Sequence, residues 1–127
     1  MADAARRVRM IALVVEADRE QRSLLATLLE EADLQVIECE SAEAALAVVE
    51  QKGHDMAMVF TDVGLAGHMD GVALAQNLDA QHPELPVIVT SAQQADRKAL
   101  PDAVVYLHQP WRPLDVLIAA ERARQAA

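Results

Sequence analysis

Aromatic residues are nearly missing from this sequence: it holds one Trp, one Tyr and one Phe, although 53% of its residues are apolar. A core built almost without rings is packed from Leu, Val, Ile, Met and Ala, which favours helices layered on a sheet. Cysteine is as scarce. Cys39 is single and cannot close an internal disulfide, and nothing near it in sequence supplies zinc-ligand spacing, so it reads as a structural thiol. Basic residues are outnumbered, with 11 Lys and Arg against 20 Asp and Glu and a formal charge of -9. Such a surface repels a phosphate backbone, so nucleic acid is not an expected partner. Arg6, Arg7 and Arg9 form a small basic cluster that reads as a solvated tail. No apolar stretch is long enough for a membrane span, and with Asp3 near the start this argues against a signal or transit peptide. The expectation is a cytoplasmic protein with no membrane partner.

What is present is an alternation. A chain of 127 residues fits one core, expected over residues 10–127 after a flexible tail at 1–9. Short apolar runs, Met10 to Val15, Leu34 to Ile37, Met56 to Phe60, Val87 to Val89 and Val104 to Leu107, are of strand length and nearly unbroken, as in strands covered on both faces. Helical patterns lie between them. Leu24, Leu25, Leu28, Leu29 and Ala32 recur at helical spacing behind a capping-box pair, Asp18 and Gln21. Ser41 caps a second helix with Ala42, Ala45, Leu46 and Val49 inward, and Gly53 suits a left-handed turn at its end. Asp70 caps a third helix facing Leu74, Ala75 and Leu78 inward. Pro113 opens a last one, whose stripe reads Leu114, Leu117, Ile118 and Glu121. Between Ala92 and Ala99 small and polar residues predict only a short or irregular fourth helix. Right-handed crossovers then give an α/β, flavodoxin-like, doubly wound five-stranded parallel sheet of order 2-1-3-4-5.

Ligands of such sheets gather beyond the carboxyl ends of the strands. Those positions hold Glu16, Ala17 and Asp18, then Thr61 and Asp62, then Thr90 and Ser91, then Gln109 and Pro110. Glu16 and Asp62 end adjacent central strands, where two desolvated like charges oppose each other unless a cation or a proton intervenes. Asp18 heads a capping box, and capping is its favoured role. Three of the four glycines, Gly64, Gly67 and Gly71, follow Asp62 closely. His54, His68, His82 and His108 show no helical ligand spacing, which leaves a metal hydrolase with little support.

The segment from Phe60 to Gly71, with Met69-Asp70-Gly71 opening a helix, resembles the phosphoacceptor loop of bacterial two-component response-regulator receiver domains. The resemblance extends from Ile11 to the end, through Pro86 to Ala92 and Tyr106 to Trp111. It implies that Asp62 is the phosphoacceptor, that Ser91 is the switch hydroxyl and that Tyr106 is the aromatic that moves in response. It also implies that Glu16, Asp62 and the main-chain carbonyl of Gly64 are the magnesium ligands, that Gln109-Pro110 is a cis peptide and that Trp111 lies beside the pocket.

Two positions depart from the family pattern. Ala17 stands where the second acidic ligand is usual, and Gln109 where a lysine contacts the phosphoryl group; Ala66 also replaces a frequent proline. Three acids and a lysine give a balance of about minus two, and Glu16 and Asp62 with neutral Gln109 give the same. This reads as a paired substitution. Phosphoryl transfer depends on positioning and on neutralising the transferring oxygens, so magnesium binding is expected to be weak or absent and self-phosphorylation slow. Asp18 is the candidate replacement ligand.

The leading expectation is a stand-alone, atypical receiver domain in a phosphorelay, not an enzyme beyond self-catalysed phosphoryl transfer to Asp62. Its implied partner is a histidine kinase or histidine phosphotransfer protein. The alternative is a phosphorylation-independent pseudo-receiver using the same face as a docking surface. No DNA-binding or catalytic segment follows the last helix, so the output is expected to pass through a downstream protein target or a homodimer.

Overall fold

The apolar runs form five parallel strands, and the three central ones are buried by helices on both faces. A computed structural model describes residues 9–126, with β1 at Ile11–Val15, β2 at Gln35–Cys39, β3 at Met56–Asp62, β4 at Val87–Ser91 and β5 at Val105–His108. The sheet order is β2-β1-β3-β4-β5, all pairs parallel. Among the described residues the helices are α1 (Arg19–Glu31), α2 (Ala42–Lys52), α3 (Gly71–Gln81) and α4 (Pro113–Ala126). The weak segment between β4 and β5 forms only a 3-10 helix, Gln94–Ala99. Arg6 and Arg7 lie outside the described residues. No described helix is long and apolar enough to cross a membrane.

Strand alternation sorts the side chains into two cores. Leu13, Val15, Val59, Val87 and Val89 pack with Ala42, Ala45 and Val49 of α2 and with Leu74, Ala75 and Leu78 of α3. Ala12, Val14, Met58, Phe60 and Ile88 pack with Leu25, Leu28 and Leu29 of α1 and with Val116, Ala119, Ala120 and Ala123 of α4. A fully buried Phe60, Leu13 or Leu29 each contributes about 1.5–3 kcal/mol.

The helix starts follow their capping residues. Asp18 accepts the N–H groups of Glu20 and Gln21, Ser41 that of Ala44, and Asp70 that of Ala73. Three expectations are corrected. Gly53 has φ -56° and not a left-handed conformation, because α2 runs straight into a 3-10 turn, Gly53–Asp55. Leu24 is exposed, since α1 packs through Leu25, Ala26, Leu28 and Leu29. The last helix is rotated from its predicted phase: Leu114, Ile118 and Glu121 are exposed and Leu117 is half-buried, while Val116 and three alanines face the sheet. Alanines let α4 lie close, and the larger apolar residues are left outside.

Gly71 joins the fold to the site. Its N–H bonds to the Val63 carbonyl at 2.8 Å, and a Cβ here would overlap the Asp62 carbonyl and stand 2.8 Å from Val63 Cα. Those are backbone atoms, so the clash cannot be relieved by a rotamer change. Gly71→Ala is expected to lower the unfolding free energy by about 2–3 kcal/mol, as overpacking does, read from the urea midpoint at unchanged slope.

Candidate functional site

The face of the sheet that carries Ala12, Val14, Phe60 and Ile88 ends at its carboxyl edge in Glu16, Asp62, Thr90 and Gln109. Asp62 pairs in register with Thr90, the Glu16 N–H extends the ladder to the Cys39 carbonyl at 2.9 Å, and the Gln109 N–H bonds to the Ser91 carbonyl at 2.8 Å. Four polar side chains therefore converge without any loop having to aim them. Gln109 Nε2 donates to Asp62 Oδ1 and to Thr90 Oγ1, both at 2.9 Å, and Thr90 Oγ1 lies 3.4 Å from the same Asp62 oxygen. The Gln109–Pro110 peptide is cis.

Glu16 is the strained member. It is only 5% exposed, its Oε2 has no hydrogen-bond partner, and the Asp62 carboxyl stands beside it. Burial first, and then the charge of Asp62, raise its pKa from 4.5 to about 8. At neutral pH Glu16 carries a proton, which is how two carboxyls can touch in a dry site. Arg22 of α1 is close but addresses other groups: it donates to the Glu16 main-chain oxygen at 2.9 Å and to Glu38 at 3.3 Å.

The donor set can be tested against a cation. The orphaned Glu16 oxygen points to a missing partner, and a magnesium ion needs only one or two carboxylates when waters complete its shell. Glu16 and Asp62 supply that number of carboxyl groups side by side. Ala17 adds nothing, Asp18 is committed to capping α1, and no group of three or more His, Cys, Asp or Glu among the described residues is arranged to hold a metal.

Ser91 and Tyr106 lie on the other face. The Ser91 hydroxyl donates to Asp96 Oδ2 at 2.6 Å and accepts the Gln93 N–H at 2.9 Å. The Tyr106 hydroxyl sits 3.1 Å from the Ser91 carbonyl oxygen and 3.0 Å from His108 Nδ1, with the Arg97 guanidinium over its ring. Trp111 lines a cleft of about 360 Å³ with Gln21, Leu24, Ala92, Gln109 and Pro110, beside the site. Sequence reasoning placed Thr90 at the edge without giving it a task. The signal was available: alternation along Val87–Ser91 sends Thr90, and not Ser91, to the face of Asp62. Asp96 gave no such signal, because it reaches Ser91 only through the 3-10 turn.

The family profile described as response regulator receiver domain matches residues 12–118. Among solved structures, the receiver domain of NtrX from Brucella abortus is similar with a TM-score of 0.79 and 28% identity, over 91% of this chain and 99% of that one. In a longer NtrX chain from the same organism the match has a TM-score of 0.77 and 28% identity and covers 91% of this chain but 26% of that one. A putative response regulator from Chloroflexus aurantiacus J-10-fl has a TM-score of 0.77 and 26% identity, over 91% of this chain and 98% of that one. A search of curated proteins found no match.

The raised pKa of Glu16 has a thermodynamic consequence. In the unfolded chain Glu16 ionises near its ordinary 4.5, whereas the folded protein holds the proton to about 8. Between those values the unfolded state binds fewer protons, so stability is full below the lower value and falls as pH rises to the upper one. At pH 7 the loss is on the order of 3 kcal/mol. Glu16→Gln, measured in a chelator, is expected to raise the melting temperature by several degrees near pH 8 and to change it little near pH 4.5. An equal shift at both would contradict the assignment.

Proposed function

We propose, from the premise that this chain belongs to the response regulator receiver domain family, that it accepts a phosphoryl group on Asp62 with low reactivity. Receiver domains are two-component signalling modules that work with histidine kinases or phosphotransfer proteins and with downstream effectors, and they generally bind magnesium at the phosphorylation site. The observation that carries the finer reading is the Asp62 carboxylate, half-buried at the end of a central strand and oriented by Gln109 and Thr90. An Asp62 oxygen attacks the phosphorus of a phosphohistidine; the new O–P bond forms as the N–P bond breaks, and the imidazole leaves with the electron pair.

Gln109 orients the nucleophile but brings no charge. An amide in place of a lysine cannot offset the negative oxygens of the transferring group, and losing one such partner costs roughly a hundredfold or more in rate. Glu16, Asp62 and the Gly64 carbonyl are the residues that would hold magnesium, whose chemistry is to neutralise those oxygens. With Ala17 beside them they hold it weakly. Closure of Ser91 on the phosphoryl group requires its hydroxyl to leave Asp96. Tyr106, bonded to the Ser91 carbonyl, carries that change to a surface read by a downstream protein or a second copy.

A second reading has its own support. Gln109 and Thr90 both hydrogen-bond Asp62 Oδ1, an uncharged network that suits a fixed pseudo-receiver docking partners independently of phosphorylation.

Incubation with a small phosphodonor and magnesium separates the two. The phosphoacceptor reading expects a slow mass increase of one phosphate that vanishes in Asp62→Asn. The double variant Ala17→Asp with Gln109→Lys should react roughly a hundredfold faster. A wild type that never reacts beside a reactive double variant supports the fixed module. An inert double variant sinks the electrostatic account.

A further inference from the structure

The loop 63–70 carries the Gly64 main chain past Asp62 and is fastened at four places. Three fastenings are main chain alone. The Val63 N–H bonds to the Thr90 carbonyl at 3.1 Å, the Gly71 N–H bonds to the Val63 carbonyl at 2.8 Å, and Ala66 forms a bridge to Ser41, its N–H on the Glu40 carbonyl at 3.3 Å. The fourth is a side chain. Glu43, in the first turn of α2, accepts the His68 N–H on Oε2 at 3.1 Å, with the Met69 N–H close enough to favour its charged form. Among the described residues no other side chain from outside the loop hydrogen-bonds its backbone.

The loop is shaped around that carboxylate. Gly67 has φ +86°, a left-handed conformation that favours glycine. A Cβ there would stand 2.7 Å from Glu43 Oε1 and 3.3 Å from Cδ. The turn thus passes close to the carboxylate in a backbone conformation that favours glycine, and a side chain there would push the carboxylate away from the His68 N–H. An exposed glutamate on a helix would ordinarily be a solvated surface charge. Here its own N–H, then those of His68 and Met69, hold its carboxyl below the usual range, as expected for an engaged anion.

We propose that Glu43 is a positioning residue for the site: from α2 it holds loop 63–70 at the sheet edge and so sets where the Gly64 backbone stands beside the Asp62 carboxylate. The Cβ position of Gly64 is 3.8 Å from Asp62 Oδ2, so loop displacement alters the wall of the pocket directly. Glu43 touches no reacting group, and its effect passes through the loop. The clamp itself stands independently of phosphoryl transfer, and only its kinetic consequence rests on the phosphoacceptor reading.

Residue-resolved amide exchange on the full chain tests this with Glu43→Ala and Glu43→Gln. Glu43→Ala is expected to speed exchange at His68 and Met69 roughly tenfold, to raise it at Gly64 as well, and to leave the β3 amides protected. Glu43→Gln, which keeps the length and one carbonyl acceptor, should recover part of the protection. Gly67→Ala, which pushes the carboxylate out from the loop side, should reproduce the pattern and add little to Glu43→Ala. If only His68 and Met69 respond while the Gly64 amide keeps its exchange rate and resonance, Glu43 is a local cap and the proposal is overturned; loss of β3 protection in all three variants overturns it too. The kinetic arm adds Glu43→Ala to the Ala17→Asp, Gln109→Lys background, where phosphorylation should slow about tenfold. An inert background counts against the phosphoacceptor reading, and the exchange data still decide the clamp.

Discussion

Two carboxyl groups at the ends of adjacent central strands, one of them buried, are the constraint around which the carboxyl edge of this protein is arranged. The sheet brings them together whether or not they repel, because Val14 and Phe60 are neighbours in register and the next residues on that face are Glu16 and Asp62. In water two such charges 4 Å apart would repel by about 1 kcal/mol, and in a desolvated cleft by several times more. The protein meets that repulsion with a proton on Glu16, an amide from Gln109 and a hydroxyl from Thr90, all short-range and all uncharged. A receiver with a further carboxylate and a lysine answers the same problem with full charges. Here Ala17 and Gln109 remove the strongest electrostatic groups, and with the proton on Glu16 the pocket carries less negative charge than a count of its ionised acids suggests.

The rest of the fold serves this edge. Alternation along the strands puts Asp62, Thr90 and Gln109 on the α1 and α4 face and leaves Ser91 and Tyr106 on the other, so the two halves of any signal are divided by the sheet itself. Gly71 lets α3 start against the Asp62 backbone, and Glu43 ties the intervening loop to α2. Ser91 is held by Asp96 of the 3-10 turn that follows β4.

Much of this was legible in the residues. Short apolar runs alternating with helical patterns specify a parallel sheet, since central strands buried on both faces have no polar alternation to display, and Asp18, Ser41 and Asp70 each cap the helix they precede. The failures have physical reasons. The phase of α4 was misread because periodicity gives weight to large residues, whereas its buried face is Val116 with Ala119, Ala120 and Ala123. A glycine after a helix suggests a reversal, but at Gly53 the chain continues in a right-handed turn. The proximity of Glu16 and Asp62 followed from strand order alone. The contacts of Ser91 with Asp96 and of Glu43 with His68 depend on how irregular segments close in three dimensions, which no spacing encodes.

The proton on Glu16 is the claim from which the other electrostatic statements descend, and it can be observed directly. Isotope-edited carboxyl spectroscopy of metal-free protein with labelled glutamate should find one side chain still protonated at neutral pH, with a midpoint near 8, and that signal should be missing from Glu16→Gln. A titration in which every glutamate has ionised by pH 6 would contradict the account.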